Sequence, residues 1–138
     1  MRVRPLEGSI FDAVVDVRVN PIGHGPKGLS RQFNKKEPTN HQMYEAAMMR
    51  ENFEPGVVYP TVNPTGGSIF NMLYWADQYQ MEDAISDLAL EMEWLKDDGY
   101  PAKSIAIPKL GKGDEWTTIR PLILNAFSGM DVDIYLED

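Results

Sequence analysis

Two short segments of this 138-residue chain combine glycine with lysine, a pairing that suits a bound oxyanion. Residues 20–28 read NPIGHGPKG, and residues 108–113 read PKLGKG. Glycines let backbone N–H groups approach a phosphate closely, and a helix that follows adds the positive end of its dipole. Each segment alone is also typical of an ordinary turn. Two of them in one chain leave both interpretations open, plain turns or a cradle for a phosphate-containing ligand.

Neither segment matches the common phosphate-binding motifs. The GxxxxGK[ST] spacing of a P-loop is missing from the sequence. Gly23, Gly25 and Gly28 have the GxGxxG spacing of a dinucleotide-binding fold. The carboxylate that such folds place about twenty residues later, on the ribose, is not at the expected position. The sequence therefore excludes these two motifs without excluding a phosphate ligand.

The composition limits the kind of site and partner. The formal net charge is −8, the sign opposite to that of a protein that binds nucleic-acid backbones, so we do not expect such binding. The chain has no cysteine and two histidines, which excludes disulfides and disfavours a zinc site. We expect no metal, no cofactor, no membrane span, a cytoplasmic location and a monomer. Residues 24–36 are locally basic, which indicates either one small anionic ligand or a solvated helix face.

The hydrophobic pattern predicts an α/β fold, with a mixed, largely parallel sheet flanked by helices on both faces. Ligands of such sheets bind outside the carboxyl ends of the strands, where both glycine segments fall. We find no linker or repeat and expect one domain over residues 1–138. Predicted strands cover residues 14–19, 57–62, 68–74, 104–107 and 131–136, and predicted helices cover residues 29–36, 41–50, 80–98 and 116–127.

The helix over residues 80–98 has the clearest periodicity. Its apolar residues recur at spacings of three and four and so form one stripe. We expect Trp94 to pack within this helix. The stripe comprises Met81, Ala84, Ile85, Leu88, Met92 and Leu95.

The order of short motifs along nearly the whole chain resembles macrodomains, in particular the branch of the antitoxin that reverses DNA ADP-ribosylation and of terminal ADP-ribose glycohydrolase. In that branch an asparagine ends a strand, a glycine-rich stretch enters a helix, and a tyrosine-bearing helix precedes a PG-x-(apolar) strand. A strand with asparagine, a long amphipathic helix and a P-x-(I/L)-G-x-G stretch before a tryptophan follow. The matching residues are Asn20, Gly23, Lys27, Gly28, Gln32, Phe33, Tyr44, Pro55, Gly56, Val57, Val58, Ile69, Phe70, Asn71, Ile105, Pro108, Leu110, Gly111, Gly113 and Trp116.

The resemblance implies a ligand, ADP-ribose or an ADP-ribosylated target, lying between residues 20–28 and 108–114. It also implies possible removal of ADP-ribose from a nucleic-acid base or a protein side chain. Two alternatives stay open: a binding module without turnover, and a domain that kept the fold but binds a protein. The implied ligand-binding residues are Asn20 at the distal ribose, Gly23, Gly25, Lys27, Gly28, Asn71, Pro108, Gly111, Lys112 and Gly113. Trp75, which follows the end of a predicted strand, is a further candidate: its ring could stack on adenine or on a base, or could equally pack in the core or at the rim.

Three departures from the family pattern concern recognition and catalysis. The family's early Gly-Asp pair, which holds the adenine, reads Gly8-Ser9 here, with Asp12 as a substitute. The glycohydrolase lysine that follows the second asparagine strand is missing, because no lysine occurs between Lys36 and Lys96. The second loop is short. We therefore expect any hydrolysis to use activated water, with Asp114 or His24 as the catalytic base.

Overall fold

The computed structural model of the chain describes residues 1–23, 28–50, 53–73, 78–111 and 113–138. Strands and helices alternate along most of the chain, as the hydrophobic pattern predicts. The strands are β1 (Arg2–Pro5), β2 (Val17–Ile22), β3 (Val57–Thr61), β4 (Ser68–Leu73), β5 (Ser104–Ile107) and β6 (Asp133–Leu136). The helices are α1 (Leu29–Lys36), α2 (Pro38–Met49), α3 (Gln78–Asp97) and α4 (Glu115–Ala126), and a short 3-10 helix covers Ile10–Asp12.

The six strands form one sheet in the order β1-β6-β5-β2-β4-β3. Every neighbouring pair is parallel except β3 with β4, which is antiparallel. The predicted mixed, largely parallel sheet is therefore confirmed. Because β2, β4, β5 and β6 run in one direction, the loops that leave their carboxyl ends meet at one edge of the sheet. We call this edge the carboxyl edge.

Helices cover both faces of the sheet, as predicted. On one face α3 and α4 pack over a core that includes Val19, Phe70 and Ile107. On the other face the 3-10 helix, α1 and α2 pack over two smaller clusters, one around Phe33 and one around Tyr44. The side chains of a strand point alternately to the two faces, so residues two apart share a face. Asn20 and Asn71 consequently face the side that carries α1 and α2.

Helix α3 buries the whole stripe predicted for it, because Met81, Ala84, Ile85, Leu88, Met92 and Leu95 are all buried. The expectation for Trp94 is wrong, since this side chain is 51% exposed. Successive residues of a helix are rotated by about 100°, so burial of Leu95 turns its neighbour away from the core. Helix α3 also covers the edge strand β3, where Asp87 Oδ2 accepts a hydrogen bond of 2.8 Å from the backbone N–H of Val58.

Strands β1 and β2 differ most from the sequence prediction. Strand β1 is not predicted by the pattern, and β2 begins at Val17 rather than at Val14, which is 94% exposed. Strand β2 also continues through Pro21, which the sequence suggested as its end. It pairs with β4 as far as Ile22 but with β5 only at Val17 and Arg18. Pro21 therefore lies where one side of β2 has no neighbour, a position that tolerates the missing N–H.

Candidate functional site

The first glycine segment joins the carboxyl end of β2 to α1. Gly23 directly follows β2 with φ of 99°, and Gly28 precedes α1 with φ of 79°, so both have the left-handed backbone that favours glycine. No side chain caps α1 in the part of the chain that the structure describes. The N–H groups of the first turn of an α-helix have no partner within the helix, and the helix dipole is positive there. This end of α1 can therefore receive an anion.

The second glycine segment leaves β5, the strand beside β2, and is fixed in place by α4. Pro108 and Leu110 are buried. Gly111 has φ of 86° and lies so close to α4 that an added Cβ atom would come within 2.7 Å of Glu115 Cβ and 2.8 Å of Ile119 Cδ1. The turn at Gly111 thus packs directly on the helix. Because β2 and β5 are adjacent and parallel, both segments lie at the carboxyl edge.

Gly113 ends the second segment and Asp114 follows it, and both residues are exposed. Gly113 has φ of 57°, and nothing lies within 4 Å of an added Cβ atom. Asp114 is the residue immediately before α4, yet its carboxylate makes no capping hydrogen bond. Only its backbone carbonyl binds the first turn, accepting from Thr117 Oγ1 at 2.7 Å. The carboxylate of Asp114 is therefore not used to cap the helix.

A cluster of buried amides includes Asn20, the residue that begins the first segment. Asn20 and Asn71 occupy paired positions on β2 and β4, and Asn20 Nδ2 donates to Asn71 Oδ1 at 2.9 Å. Asn40, in the first turn of α2, makes a two-point contact with Asn71: its Nδ2 donates to Asn71 Oδ1 at 3.0 Å, and its Oδ1 accepts from Asn71 Nδ2 at 2.8 Å. Thr61 Oγ1 donates to Asn40 Oδ1 at 2.7 Å, and Asn71 Nδ2 also donates to the Tyr59 carbonyl at 3.0 Å. We call these residues the amide cluster.

The amide cluster fixes which atom of Asn20 is available. A backbone carbonyl can only accept, so the Asn71 atom that faces the Tyr59 carbonyl must be the nitrogen. Asn71 therefore presents its oxygen to Asn20, which must answer with its nitrogen. Asn20 is fully buried, and its Oδ1 has no hydrogen-bond partner among the described residues. A buried acceptor without a partner is costly, which marks this oxygen as a place for a donor from outside the described residues.

Contacts of Tyr44 fix helix α2, the helix that contains Asn40, against the neighbouring elements. The Tyr44 hydroxyl donates to Asn34 Oδ1 of α1 at 2.8 Å, and Tyr44 packs with Ala47, Phe53 and Leu73. Burial raises the pKa of the Tyr44 phenol, which keeps it a neutral donor. Leu73 ends β4, so the contact joins α2 to the carboxyl edge.

The structure assigns other positions to the residues that replace the family's adenine pair. Ser9 caps the 3-10 helix, where its Oγ accepts from the Phe11 N–H at 3.2 Å. Asp12 lines a cavity of about 410 Å³ together with Arg18 and Gly67. Gly67 precedes β4, and a six-residue strand is about 20 Å long. Asp12 therefore lies near the end of β4 opposite the carboxyl edge.

The side chain of Arg18, at the same end of the sheet, is engaged in hydrogen bonds with backbone carbonyls. Its guanidinium donates to the carbonyls of Ile10, at 3.0 Å, and of Ala13, which ties the segment around the 3-10 helix to β2. Burial lowers the pKa of Arg18, opposed by the charge of Glu37. Arg18 therefore has a structural task and is not a ligand group at the carboxyl edge.

Of the predicted site residues, Asn20 and Asn71 are in contact, Gly23 follows β2 and Gly28 precedes α1. Pro108, Gly111, Gly113 and Asp114 lie between β5 and α4, after the carboxyl end of the neighbouring strand. Five predicted residues lie outside the described residues: His24, Gly25, Lys27, Trp75 and Lys112. Among the residues described, no group of three or more His, Asp or Glu side chains could hold a metal ion. Nor is any described helix long and apolar enough to cross a membrane.

Known proteins share this architecture. No protein-family model matches the chain. The macrodomain of Thermus aquaticus DarG superposes with a TM-score of 0.83 at 24% identity, covering 99% of this chain and 97% of that one. The chain folds as a macrodomain. The macrodomain of Mycobacterium tuberculosis DarG gives a TM-score of 0.79 at 22% identity, covering 98% and 96% of the two chains.

Two further relatives are larger than this macrodomain. A DNA ADP-ribosyl glycohydrolase of Thermus aquaticus is 28% identical over 153 residues, which cover 96% of this chain and 41% of the relative. The chain thus spans about two fifths of the length of that curated relative. Thermosipho africanus DarTG in complex with ADP-ribose has a TM-score of 0.73 at 20% identity, covering 98% of this chain and 41% of that one. The resemblance to macrodomains of the DarG branch, which the motif order predicted, is confirmed.

Sequence reasoning missed Asn40 and Thr61, which the structure places in the amide cluster with Asn71. Neither belongs to a glycine segment, and no spacing rule links a residue of the first turn of α2 to Asn71. Burial of Asn40 would have indicated its role, but the sequence does not show which asparagine of a helix is buried.

Proposed function

We propose that this macrodomain binds ADP-ribose across the carboxyl edge of its sheet. The proposal is carried by one arrangement: two glycine segments leave the carboxyl ends of the adjacent parallel strands β2 and β5, and Asn20, which begins the first segment, has a buried Oδ1 without a partner among the described residues. The glycine segments and the open N-terminus of α1 suit the diphosphate. The buried acceptor suits a hydroxyl of the distal ribose. Gly25, Lys27 and Lys112 belong to the proposed site because they lie in the two segments that the family resemblance implies. Trp75 is included because it follows the strand of Asn71 and its ring could stack on adenine.

We propose further that the target is ADP-ribose attached to a DNA base. The similar proteins support this choice, because one is a DNA ADP-ribosyl glycohydrolase and another was solved with ADP-ribose bound. Because the protein has a formal net charge of −8, which repels the DNA phosphates, it would recognise the ADP-ribose group rather than the DNA backbone. We place the protein in the cytoplasm, where such DNA occurs in bacteria, and expect it to act as a monomer.

Removal of ADP-ribose by this chain would have to proceed without the family's lysine. The residues that follow Asn71 are Met72 and Leu73, both buried and apolar. Asp114 is the described residue best suited to activate a water, because its exposed carboxylate does not cap α4. We propose Asp114, assisted by His24, as the base. A positioned base contributes about 10²–10⁴-fold, so the reaction would be slow compared with one that also forms a covalent intermediate.

Calorimetric titration with ADP-ribose tests the binding proposal. We expect a dissociation constant in the micromolar range, which corresponds to about −8 kcal/mol. Absence of saturable heat at millimolar ligand would contradict it and favour a macrodomain that binds a protein instead. Binding with no release of ADP-ribose from a modified oligonucleotide would identify a binding module without turnover.

A further inference from the structure

The amide cluster connects the proposed ligand site to helix α2 and strand β3, two elements that contribute no glycine segment. Asn20, Asn71 and Asn40 are 0%, 0% and 4% exposed, so their amides exchange few hydrogen bonds with solvent. Their polar atoms satisfy one another, with one exception, the Oδ1 of Asn20. In this network one acceptor has no partner among the described residues, and it lies next to the proposed ligand, which indicates a role in binding as well as in packing.

We propose that Asn40 is a positioning residue for ligand recognition, acting through Asn71 on the amide of Asn20. This inference rests on the proposed function. Asn40 grips Asn71 at both ends of its amide, with contacts of 3.0 and 2.8 Å. Asn71 in turn holds Asn20 through one hydrogen bond of 2.9 Å. The plane of the Asn20 amide, and hence the direction of its free oxygen, depends on that chain of contacts.

The polarity of the cluster adds a statement about the ligand. The Tyr59 carbonyl forces Asn71 to donate toward β3 and to accept from Asn20. Asn20 Nδ2 uses one of its two hydrogens on Asn71, and the atom that is left without a partner among the described residues, Oδ1, is an acceptor. The group bound there must supply a hydrogen, which a sugar hydroxyl does and a phosphate or a carbonyl does not. Thr61 reinforces the arrangement, because its hydroxyl donates to Asn40 Oδ1 at 2.7 Å.

This assignment separates Asn40 from residues that merely keep the protein folded. A positioning role predicts that loss of Asn40 weakens only the part of the ligand that Asn20 contacts. ADP contains the adenosine and the diphosphate of ADP-ribose but lacks the distal ribose. The ratio of the affinities for ADP-ribose and ADP therefore reports on the contact made by Asn20, whereas general damage to the site changes both affinities together.

The experiment compares the wild type with Asn40→Leu, a substitution of similar size that removes both amide contacts. Gln42→Leu is the matched control, because it makes the same kind of change at an exposed position of the same helix. Each protein is titrated with ADP-ribose and with ADP after its thermal transition has been recorded. We expect Asn40→Leu to weaken ADP-ribose about 3- to 10-fold, the effect of one hydrogen bond, and to leave ADP unchanged. Gln42→Leu changes neither affinity.

Two further measurements complete the test. In an Asn20→Ala background, Asn40→Leu should have no additional effect on ADP-ribose, because the residue through which it acts is gone. If Asn40→Leu does not fold, Thr61→Val takes its place and should lower the same affinity ratio. Equal weakening of both ligands, or an unchanged ratio in folded Asn40→Leu or Thr61→Val, overturns the inference. A wild type that binds neither ligand refutes the proposed function and the inference with it, so the two failures are distinguishable.

Discussion

Replacing Gly28 with aspartate and, separately, with asparagine tests whether a diphosphate lies at the start of α1. The two side chains have nearly the same shape and differ by one charge. Gly28 has φ of 79°, and nothing lies within 4 Å of an added Cβ atom. Asparagine and aspartate are the side chains that best tolerate this left-handed backbone, at a cost of about 1–2 kcal/mol that both variants share. The difference between the variants therefore isolates the charge.

The size of the effect follows from Coulomb's law. A carboxylate about 7 Å from two phosphate charges is repelled by about 1 kcal/mol in water and by about 2 kcal/mol if the effective dielectric constant is halved. We therefore expect Gly28→Asp to bind ADP-ribose about 5- to 50-fold more weakly than Gly28→Asn. The stability should change in the opposite direction, because a negative charge at the N-terminus of a helix is favourable by about 0.3–1 kcal/mol.

The assay is calorimetric titration of both variants at low and at high salt, accompanied by thermal unfolding. The ratio of their dissociation constants should shrink toward one as salt rises, because the Debye length falls from about 10 Å at 0.1 M to about 3 Å at 1 M. Equal affinities at low salt in two folded variants would show that no diphosphate lies beside α1. Weaker binding by Gly28→Asp with a lower unfolding temperature than Gly28→Asn would point to damage of the fold rather than to repulsion.

Two other outcomes are expected. Gly111→Ala should destabilise the protein by about 2–4 kcal/mol in denaturant unfolding, because it adds left-handed strain to a close contact with α4. Gly113→Ala is the control and should cost only about 1 kcal/mol, because nothing lies near its added Cβ atom. Equal unfolding midpoints for the two variants would contradict the close approach at Gly111. Asp114→Asn and His24→Ala should each lower release of ADP-ribose from a modified oligonucleotide about 100-fold or more, and borohydride added during turnover should trap no lysine adduct. A trapped adduct, or full activity in both variants, would refute the water-based route.

The sequence predicts the parts of the fold that carry strong periodicity. Helix α3 lies within two residues of its predicted bounds, because six apolar residues at helical spacing leave few alternatives. Strand β1 could not be predicted, because its four residues are all exposed and two of them are arginines, so no alternation toward a core exists. The start of β2 was misplaced by Val14, a β-branched residue that turned out to be exposed.

The site was predictable only in part, for a related reason. Glycines at left-handed positions, such as Gly23, Gly28 and Gly111, leave a visible trace because few other residues replace them. A hydrogen bond between buried amides leaves no such trace. Asn40 and Asn71 are 31 residues apart, and only the folded chain shows that they meet. The composition of the amide cluster is therefore a result of the tertiary structure.

The pairing of β1 with β6 determines the order in which the protein can be completed during its synthesis. Arg2 aligns with Asp133, so the first strand must wait for a partner made 131 residues later. At ordinary rates of translation this delay is roughly 6 to 26 s. Strand β1 has no buried side chain, so it exposes no core residue while it remains unpaired. The core is different, because Ile134 and Leu136 of β6 are almost completely buried in the folded protein and their positions stay empty until β6 is made. Until β6 has joined β5, the apolar core residues that Ile134 and Leu136 contact stay uncovered, and a chaperone or a misfolding partner can bind them.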